Sequence, residues 1–367
     1  MGTKQHIYVG TYTLPITFGT GQVLNGKGKG IYVFEFDPDV PDLKPVSVAG
    51  DIDNPSYLAV NEKAGALYAV SELKDYNGKP SGAVGSFRIR DDGGLELTGK
   101  LPTDGADPCH VVLGPDMKHL IVSNYSGGSV SVFPVLPDGG LGEIEQFVQY
   151  EGGSVNPARQ EGPHAHSAVF SRDSKYVFVC DLGTDRVNVY RYAASGPPLS
   201  DKCRLVFKTT PGSGPRCMEF GPDGRYGYLI REMESSISVL WLDKEGGMLT
   251  EIQKASTLPE GADNRDNLGA DLHLTPDGRF LYASNRGYDN IAIFQVEPST
   301  GLLTLVGFEP AGGQIPRSFC IDATGGFLLC ANQDSDNVVV FSIDRQTGGL
   351  QKKCVASVPT PVCVRAY

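Results

Sequence analysis

Apolar and polar residues alternate with a period of two along most of this chain, and no long amphipathic helix breaks the pattern. Three stretches show the unit most clearly: GPRCMEFGPDGRYGYLIREMESSISVLWLD from Gly214, GADLHLTPDGRFLYASNRGYDNIAIFQV from Gly269, and IPRSFCIDATGGFLLCANQDSDNVVVFSID from Ile315. Each reads as strand, Asp/Gly turn, strand, polar turn, strand. NPSYLAVNEKAGALYAVSEL, DPCHVVLGPDMKHLIVSNYSGGSVSVFPV and PHAHSAVFSRDSKYVFVCDLGTDRVNVYRY are related units. HIYVGTYT and GKGIYVFEFD supply a further strand pair at the N-terminus. After each unit come a glycine turn and a fourth strand, as in GGLELTGKLP, GGLGEIEQFVQY, GGMLTEIQKAST and TGLLTLVGFEP. The period is about 50 residues, so seven units fill the chain.

Four-stranded units in radial array leave few exposed sheet edges. The pattern therefore predicts an all-β fold: a seven-bladed β-propeller with four antiparallel strands per blade, forming a single domain over residues 1–367. The C-terminal PTPVCVRAY resembles the start of a unit such as IPRSFCID. It would complete the blade begun at the N-terminus, so the ring is closed by the C-terminal strand instead of a capping repeat. A linear stack of sheets is the weaker alternative.

Composition narrows the function. Of 367 residues, 46 are Gly and 25 are Pro, spread along the length as many short turns require. The net charge of −11 argues against nucleic acid as a partner, because that needs clustered Lys and Arg. It leaves room for a small anion held by a few local arginines. Eight cysteines stand at 109, 180, 203, 217, 320, 330, 354 and 363 without a C-x-x-C pair. They read as buried reduced thiols of a cytoplasmic protein, with no zinc spacing. The start MGTKQHIYVGTYT has no secretory h-region and no myristoylation signal, and no run of 18 apolar residues would span a membrane. Oligomeric state is not readable.

In a propeller the first strand of each unit lines the central channel and the second runs back beside it. The start of the first and the end of the second thus meet at one mouth. Arg216 to Glu232 and Ser56 to Glu72 are 16 residues; His166 to Asp181, Arg317 to Asn332, Cys109 to Asn124 and Ala270 to Asn285 are 15. One mouth should then gather His166, Arg216, Arg317, Glu72, Glu232, Asp181, Asn124, Asn285 and Asn332, with Arg286 and Tyr125 beside them. His164 and His166, in NPARQEGPHAHS, are two apart, which on a strand is the same face. His164 is expected on the loop entering the mouth. His273, His119 and His6 read as structural, and His110 lies one residue off the channel register. Trp241 reads as blade packing. The charged group is either a functional cluster, the favoured reading, or an ion-pair network holding blades together.

At these residues the chain resembles the seven-bladed lactonase family that includes propeller-type 6-phosphogluconolactonases and carboxy-cis,cis-muconate cyclase. NPARQEGPHAHS, DLGTDRVNVYR, GPRCMEFGPDGR, ADLHLTPDGRFLYASNRG and ANQDSDNVVVF carry the resemblance, which spans nearly the whole chain. It implies catalytic roles for His166, Arg216, Glu232 and Arg286; the other residues placed at the mouth, His164, Arg317, Asn332, Asn285, Asp181, Glu72 and Asn124, are expected to bind substrate. The chain departs from the family at LIREMESS, where Arg231 is expected to sit beside Glu232 and lower its pKa.

The reaction expected from the resemblance is hydrolysis of a sugar lactone, 6-phosphogluconolactone above all. Glu232 or His166 would be the base, Arg216 would stabilise the oxyanion, and Arg286 and Arg317 would hold the phosphate. No G-x-S-x-G nucleophile motif is present, which favours direct attack by water. A muconate-type lactonising cyclase and a non-catalytic binding propeller are the alternatives. The expected partner is a small anionic sugar lactone or acid, with no cofactor and no metal. The insertion TLPITFGTGQVLNGKGKG in the first unit reads equally as a lid or as a mobile loop.

Overall fold

The computed structural model describes residues 4–367, apart from the side chains of residues 201–204. Two readings made above, the start of the chain at Met1 to Thr3 and the Cys203 thiol, lie outside the described residues.

Seven sheets of four antiparallel strands and one short two-stranded hairpin account for the described strands. The sheets are numbered here as blades 1 to 7. Their innermost strands are Pro361–Ala366, Leu58–Asn61, Pro108–Leu113, Ala165–Phe170, Pro215–Phe220, Leu268–Leu274 and Pro316–Ile321. These touch one another around the full circle and enclose a central channel. Among the described residues, no helix is long and apolar enough to cross a membrane.

The alternation in the sequence maps onto burial. Second strands such as Ala66–Ser71 and Tyr176–Asp181 are buried at every position, because each is sandwiched between two neighbouring blades. Fourth strands such as Leu303–Pro310 have mostly exposed or half-buried positions at the rim. The apolar core is correspondingly divided into clusters that lie between adjacent blades. Val9, Phe36, Leu329 and Val340 join blades 1 and 7, for example, and Phe178, Phe220 and Leu240 join blades 4 and 5. Burying each such side chain stabilises the ring by roughly 1.5–3 kcal/mol.

The Asp-Gly turns bring neighbouring blades into close contact. In Pro276–Gly278, Gly278 has φ +71°, and a Cβ there would meet the Pro222 ring of blade 5 at 2.7 Å. Asp277 Oδ1 accepts the Arg279 N–H at 3.1 Å and closes the turn.

Blade 1 closes the circle as the terminal pattern predicts. Pro361–Ala366 pairs antiparallel with Gln5–Thr11, with Ile7 opposite Ala366 and Gly10 opposite Cys363. His6 N–H donates to Tyr367 O at 2.7 Å, and Tyr367 N–H donates back to His6 O at 2.8 Å.

Candidate functional site

Six of the seven innermost strands carry the same irregularity near their entry. In blade 4 the ladder steps from Ala165–Asp181 to Ser167–Cys180, so His166 has no partner across the strand pair. In blade 5 it steps from Pro215–Arg231 to Cys217–Ile230 and leaves out Arg216. Blades 3, 7 and 1 leave out Cys109, Arg317 and Val362 in the same way, and blade 6 shifts between Gly269 and Leu272. Such a bulge frees one residue from the ladder and re-aims its side chain. Here the freed residues line the channel together with Ser56 and Ala270.

The second strands contribute from the opposite side of their turn. Their last paired residues are Asn124, Asp181, Arg231 and Asn332, opposite Ser129, Arg186, Ser236 and Asn337. Asn285 is paired likewise, opposite Asn290. The residues one place further on, Glu72, Tyr125, Glu232, Arg286 and Gln333, face the mouth. Side chains alternate, so a one-residue difference in count chooses the face.

This separates the expected residues into two groups. His164, His166, Arg216, Glu232, Arg286, Arg317 and Glu72 line one cavity of about 620 Å³ at a single end of the channel. Asp181, Asn124, Asn285 and Asn332 do not reach it, and their expected place at the mouth is corrected here. They are buried inside the blades, where they satisfy turns. Asn332 Nδ2 donates to Ala311 O at 3.0 Å and to Asn337 Oδ1 at 2.9 Å. Asn285 binds Thr257 and Asn290, and Asn124 donates to the Ser129 and Ser131 hydroxyls. Asp181 accepts the N–H groups of His164, Gly183 and Thr184 and the Thr184 hydroxyl, which fixes the loop that presents His164. The spacing of 16 found the cavity-facing position, whereas the spacing of 15 stopped one residue short.

At the centre of one wall lies Glu232, 1% exposed. Its Oε1 is 2.5 Å from Arg159 Nη2, and its Oε2 is 2.5 Å from Arg216 Nη1 and 2.9 Å from Arg286 Nη2. Burial pushes the carboxyl pKa up, but Arg286, Arg159 and Arg216 outweigh burial and hold it well below the usual range. Arg231 has no part in this. It points into blade 5, where it pairs with Glu234 at 2.9 Å and with Glu251, so the expected influence on Glu232 is also corrected. Arg286 has its own pKa pushed down to about 9 by burial among cations, despite Glu232.

Arg159 was missed by the sequence reading. It sits in NPARQEGPHAHS, the motif singled out for its histidines, but on the approach loop, where strand counting cannot place it. The only signal was its membership of that motif.

His166 Nε2 lies 2.6 Å from Arg216 Nη1, which donates to it, so the imidazole is neutral with Nε2 as acceptor. Burial and the Arg216 charge push its pKa well below the ordinary value. The partner of the pair, His164, stacks on Tyr125 with ring centroids 4.5 Å apart and an interplanar angle of 10°. Its Nδ1 donates to Tyr125 O at 3.0 Å. Of the remaining histidines, His273 lies between Glu219 at 3.0 Å and Asp271 at 3.5 Å, and His119 bonds Tyr192 at 2.7 Å. His110 packs against Tyr57 deeper in the channel, with the rings tilted by 39°, and burial pushes its pKa down to about 3.

The opposite wall carries Glu72, whose Oε2 accepts the Tyr12 hydroxyl at 3.0 Å. Arg317 stands next to it, with its guanidinium carbon 5.5 Å from the Tyr12 ring centroid and 5.3 Å from that of Phe18. Among the described residues Arg317 has no ion-pair partner. Phe18 belongs to the first-blade insertion, which forms the hairpin Ile16–Thr17 and Val23–Leu24 over the mouth. Ile16 and Phe18 pack on Tyr12 and Val362, and the tip reaches Arg159 and Tyr125 on the far side. In this structure the insertion lies over the cavity, with Ile16, Phe18 and Leu24 among the residues that line it.

Four arginines thus face Glu72 and Glu232 in the interior of a protein whose net charge is −11. Such a site can bind an anion and stabilise an oxyanion.

Residues 6–366 match the family model described as Lactonase, 7-bladed beta-propeller. The chain is 35% identical to the 6-phosphogluconolactonase of Bacillus subtilis, covering 99% of this chain and 98% of that protein. It is 36% identical to the 6-phosphogluconolactonase of Formosa agariphila, covering 81% of this chain and 84% of that protein. Among solved structures it is similar to the periplasmic gluconolactonase of Pseudomonas aeruginosa, with a TM-score of 0.88, 34% identity and 99% of each chain covered.

Proposed function

The chain belongs to the seven-bladed β-propeller lactonase family, and from that premise we propose that it hydrolyses a sugar lactone, 6-phosphogluconolactone, to 6-phosphogluconate. The observation that carries the reading is the ring of Arg159, Arg216 and Arg286 about one buried carboxylate, with Arg317 unpaired across the same cavity. An ion-pair network that merely held blades together would leave no spare cation facing an open cavity of about 620 Å³. That volume suits a ligand the size of a phosphorylated sugar.

In this reading the lactone carbonyl lies against the arginine wall. Arg216 and Arg286 donate to the oxygen that becomes negative when water adds to the carbonyl carbon. Arg317 takes the phosphate, whose oxygens match a guanidinium fork. Glu232 holds the three guanidiniums in place, and His166 fixes the orientation of Arg216 by accepting its N–H. His164 and Tyr125 form a flat side to the pocket. The chemistry is undemanding, because lactones open spontaneously, so a pre-arranged set of donors suffices. The seven cysteines that are free thiols among the described residues support a reducing compartment, and the reading places the protein in the cytoplasm.

The test is hydrolysis of phosphorylated and unphosphorylated sugar lactones by the purified protein, corrected for the spontaneous rate. Arg216→Ala should lower the enzymatic rate at least tenfold, about 1.4 kcal/mol of barrier. A wild-type protein that adds nothing to the spontaneous rate rejects the reading. The contact of His166, Arg216, Glu232 and Arg286 in one cluster also favours a second reading, lactonising closure of a muconate-type diacid. Loss of conjugated-diene absorbance on adding such a diacid would reveal it.

A further inference from the structure

Two carboxylates occupy the same position in their blades, immediately after the last pair of the second strand. One is Glu232 in blade 5; the other is Glu72 in blade 2, on the opposite wall. Their surroundings are opposed. Both oxygens of Glu232 are held by guanidiniums at 2.5–2.9 Å, and three cations on one carboxylate leave it too weakly basic to take a water proton near neutral pH. His166 is disqualified in the same way, because its Nε2 already accepts the Arg216 N–H at 2.6 Å.

Glu72 is buried, lines both the large cavity and the narrower channel below it, and has no ion-pair partner among the described residues. The Tyr12 hydroxyl holds its Oε2 at 3.0 Å. The charged and titratable groups facing it are Tyr12 from blade 1, Arg317 from blade 7, and Asp107 and Cys109 from blade 3. Asp107, also at the cavity, accepts the Ser126 hydroxyl at 2.5 Å. Paired carboxylates whose environments drive them apart are the usual signature of separate acid/base and electrostatic roles.

We propose that Glu72 is the general base of the lactonase reaction, with Tyr12 as its positioning residue. The proposal rests on the lactonase reading. Water adds to the lactone carbonyl carbon while Glu72 takes one of its protons. The ring C–O bond then breaks, and the same proton passes from Glu72 to the departing ring oxygen. The product is the open hydroxy acid, and Glu72 returns to its carboxylate. Burial pushes the Glu72 pKa up to about 7 against the opposing charge of Arg317, which suits a group that must both accept and release a proton near neutrality.

The experiment compares Glu72→Gln and wild type on 6-phosphogluconolactone, with thermal stabilisation by 6-phosphogluconate as the binding readout. Glu72→Gln is expected to lose about 100-fold in kcat, within the range for general base catalysis, while KM and the stabilisation by product stay within about threefold. A wild-type rate in Glu72→Gln, or a comparable loss found in Asp107→Asn instead, overturns the assignment. Tyr12→Phe provides an independent arm. The Tyr12 hydroxyl stabilises the carboxylate, so its removal raises the Glu72 pKa and shifts the acidic limb of the kcat/KM profile to higher pH. An unmoved limb in an active, folded Tyr12→Phe enzyme overturns the proposal. If wild type itself is inactive, the lactonase reading fails, and this is distinguishable from failure of the base alone.

Discussion

Arg159 Nη2 stands 2.5 Å from Glu232 Oε1 and ties the loop that approaches blade 4 to the end of a strand in blade 5. This one contact carries both charge and geometry, since the same loop continues into His164 and His166. Arg159→Gln is expected to lower kcat/KM for the phosphorylated lactone about tenfold, and Arg159→Lys to recover part of the loss. Steady-state kinetics of the two variants side by side would check this. Equal losses in both would place the effect in the fork of the guanidinium and not in its charge.

Glu232 is the shared counter-ion of three buried or nearly buried cations. Its replacement by Gln leaves them facing one another without compensation. Breaking a buried ion pair by removing one partner costs about 3–5 kcal/mol. Glu232→Gln should therefore lower the urea midpoint markedly as well as the activity. A variant as stable as wild type would mean that the arginines are solvated and the cluster is looser than its distances suggest.

Phe18 of the covering hairpin and Tyr12, which meet edge to face, both contact the Arg317 guanidinium. A cation–π contact of this kind is worth about 0.5–1 kcal/mol. Phe18→Ala should raise KM for the phosphorylated substrate by about two- to fivefold, the same energy expressed as affinity, with little change for an unphosphorylated lactone. The ratio of the two KM values is the quantity to measure.

His273 supplies a pH dependence unconnected with catalysis. Burial disfavours its charge, but Asp271 and Glu219 outweigh burial and raise its pKa to about 9. A raised folded-state value means that the native protein binds a proton the unfolded chain releases between about pH 6.5 and 9. The stabilising contribution is complete below pH 6.5 and is lost as pH rises through 9. Urea midpoints measured across that window should fall with pH in wild type and fall less steeply in His273→Gln.

The closing strand makes a simple prediction about folding. A chain that stops at Ser357 lacks Pro361–Ala366, the innermost strand of blade 1, and leaves the Gln5–Thr11 edge unpaired. Such a chain should lose its cooperative thermal transition and aggregate. Circular dichroism on heating is sufficient to decide.

Much of this architecture could be read from residues alone, because each blade repeats the same alternation and the C-terminal PTPVCVRAY matches the start of a unit. The cavity was legible as far as strand positions are concerned: His166, Arg216, Glu232, Glu72 and Arg317 were placed by counting, and Arg286 only as the neighbour of a counted residue. Counting failed where geometry turns on a single residue. Asn285 and Arg286 are neighbours in sequence, yet one bonds within its blade and the other reaches Glu232. Nothing in the alternation marks which of the two follows the last ladder pair. Arg159 was invisible for a different reason, since loops have no period from which to count. The conformation of the first-blade insertion depends on contacts of Ile16 and Phe18 with Tyr12, residues that sequence spacing does not bring together.

The bulges have a consequence for how such a protein can change. A residue released from its ladder holds no cross-strand hydrogen bond, so exchanging it leaves the sheet intact. The six bulges and Ser56 therefore act as sockets on a fixed wheel, occupied here by Val362, Ser56, Cys109, His166, Arg216, Ala270 and Arg317. A designer seeking a new specificity could rewrite that short set of side chains with every ladder pair left in place, provided the charges around Glu232 are rebalanced with them.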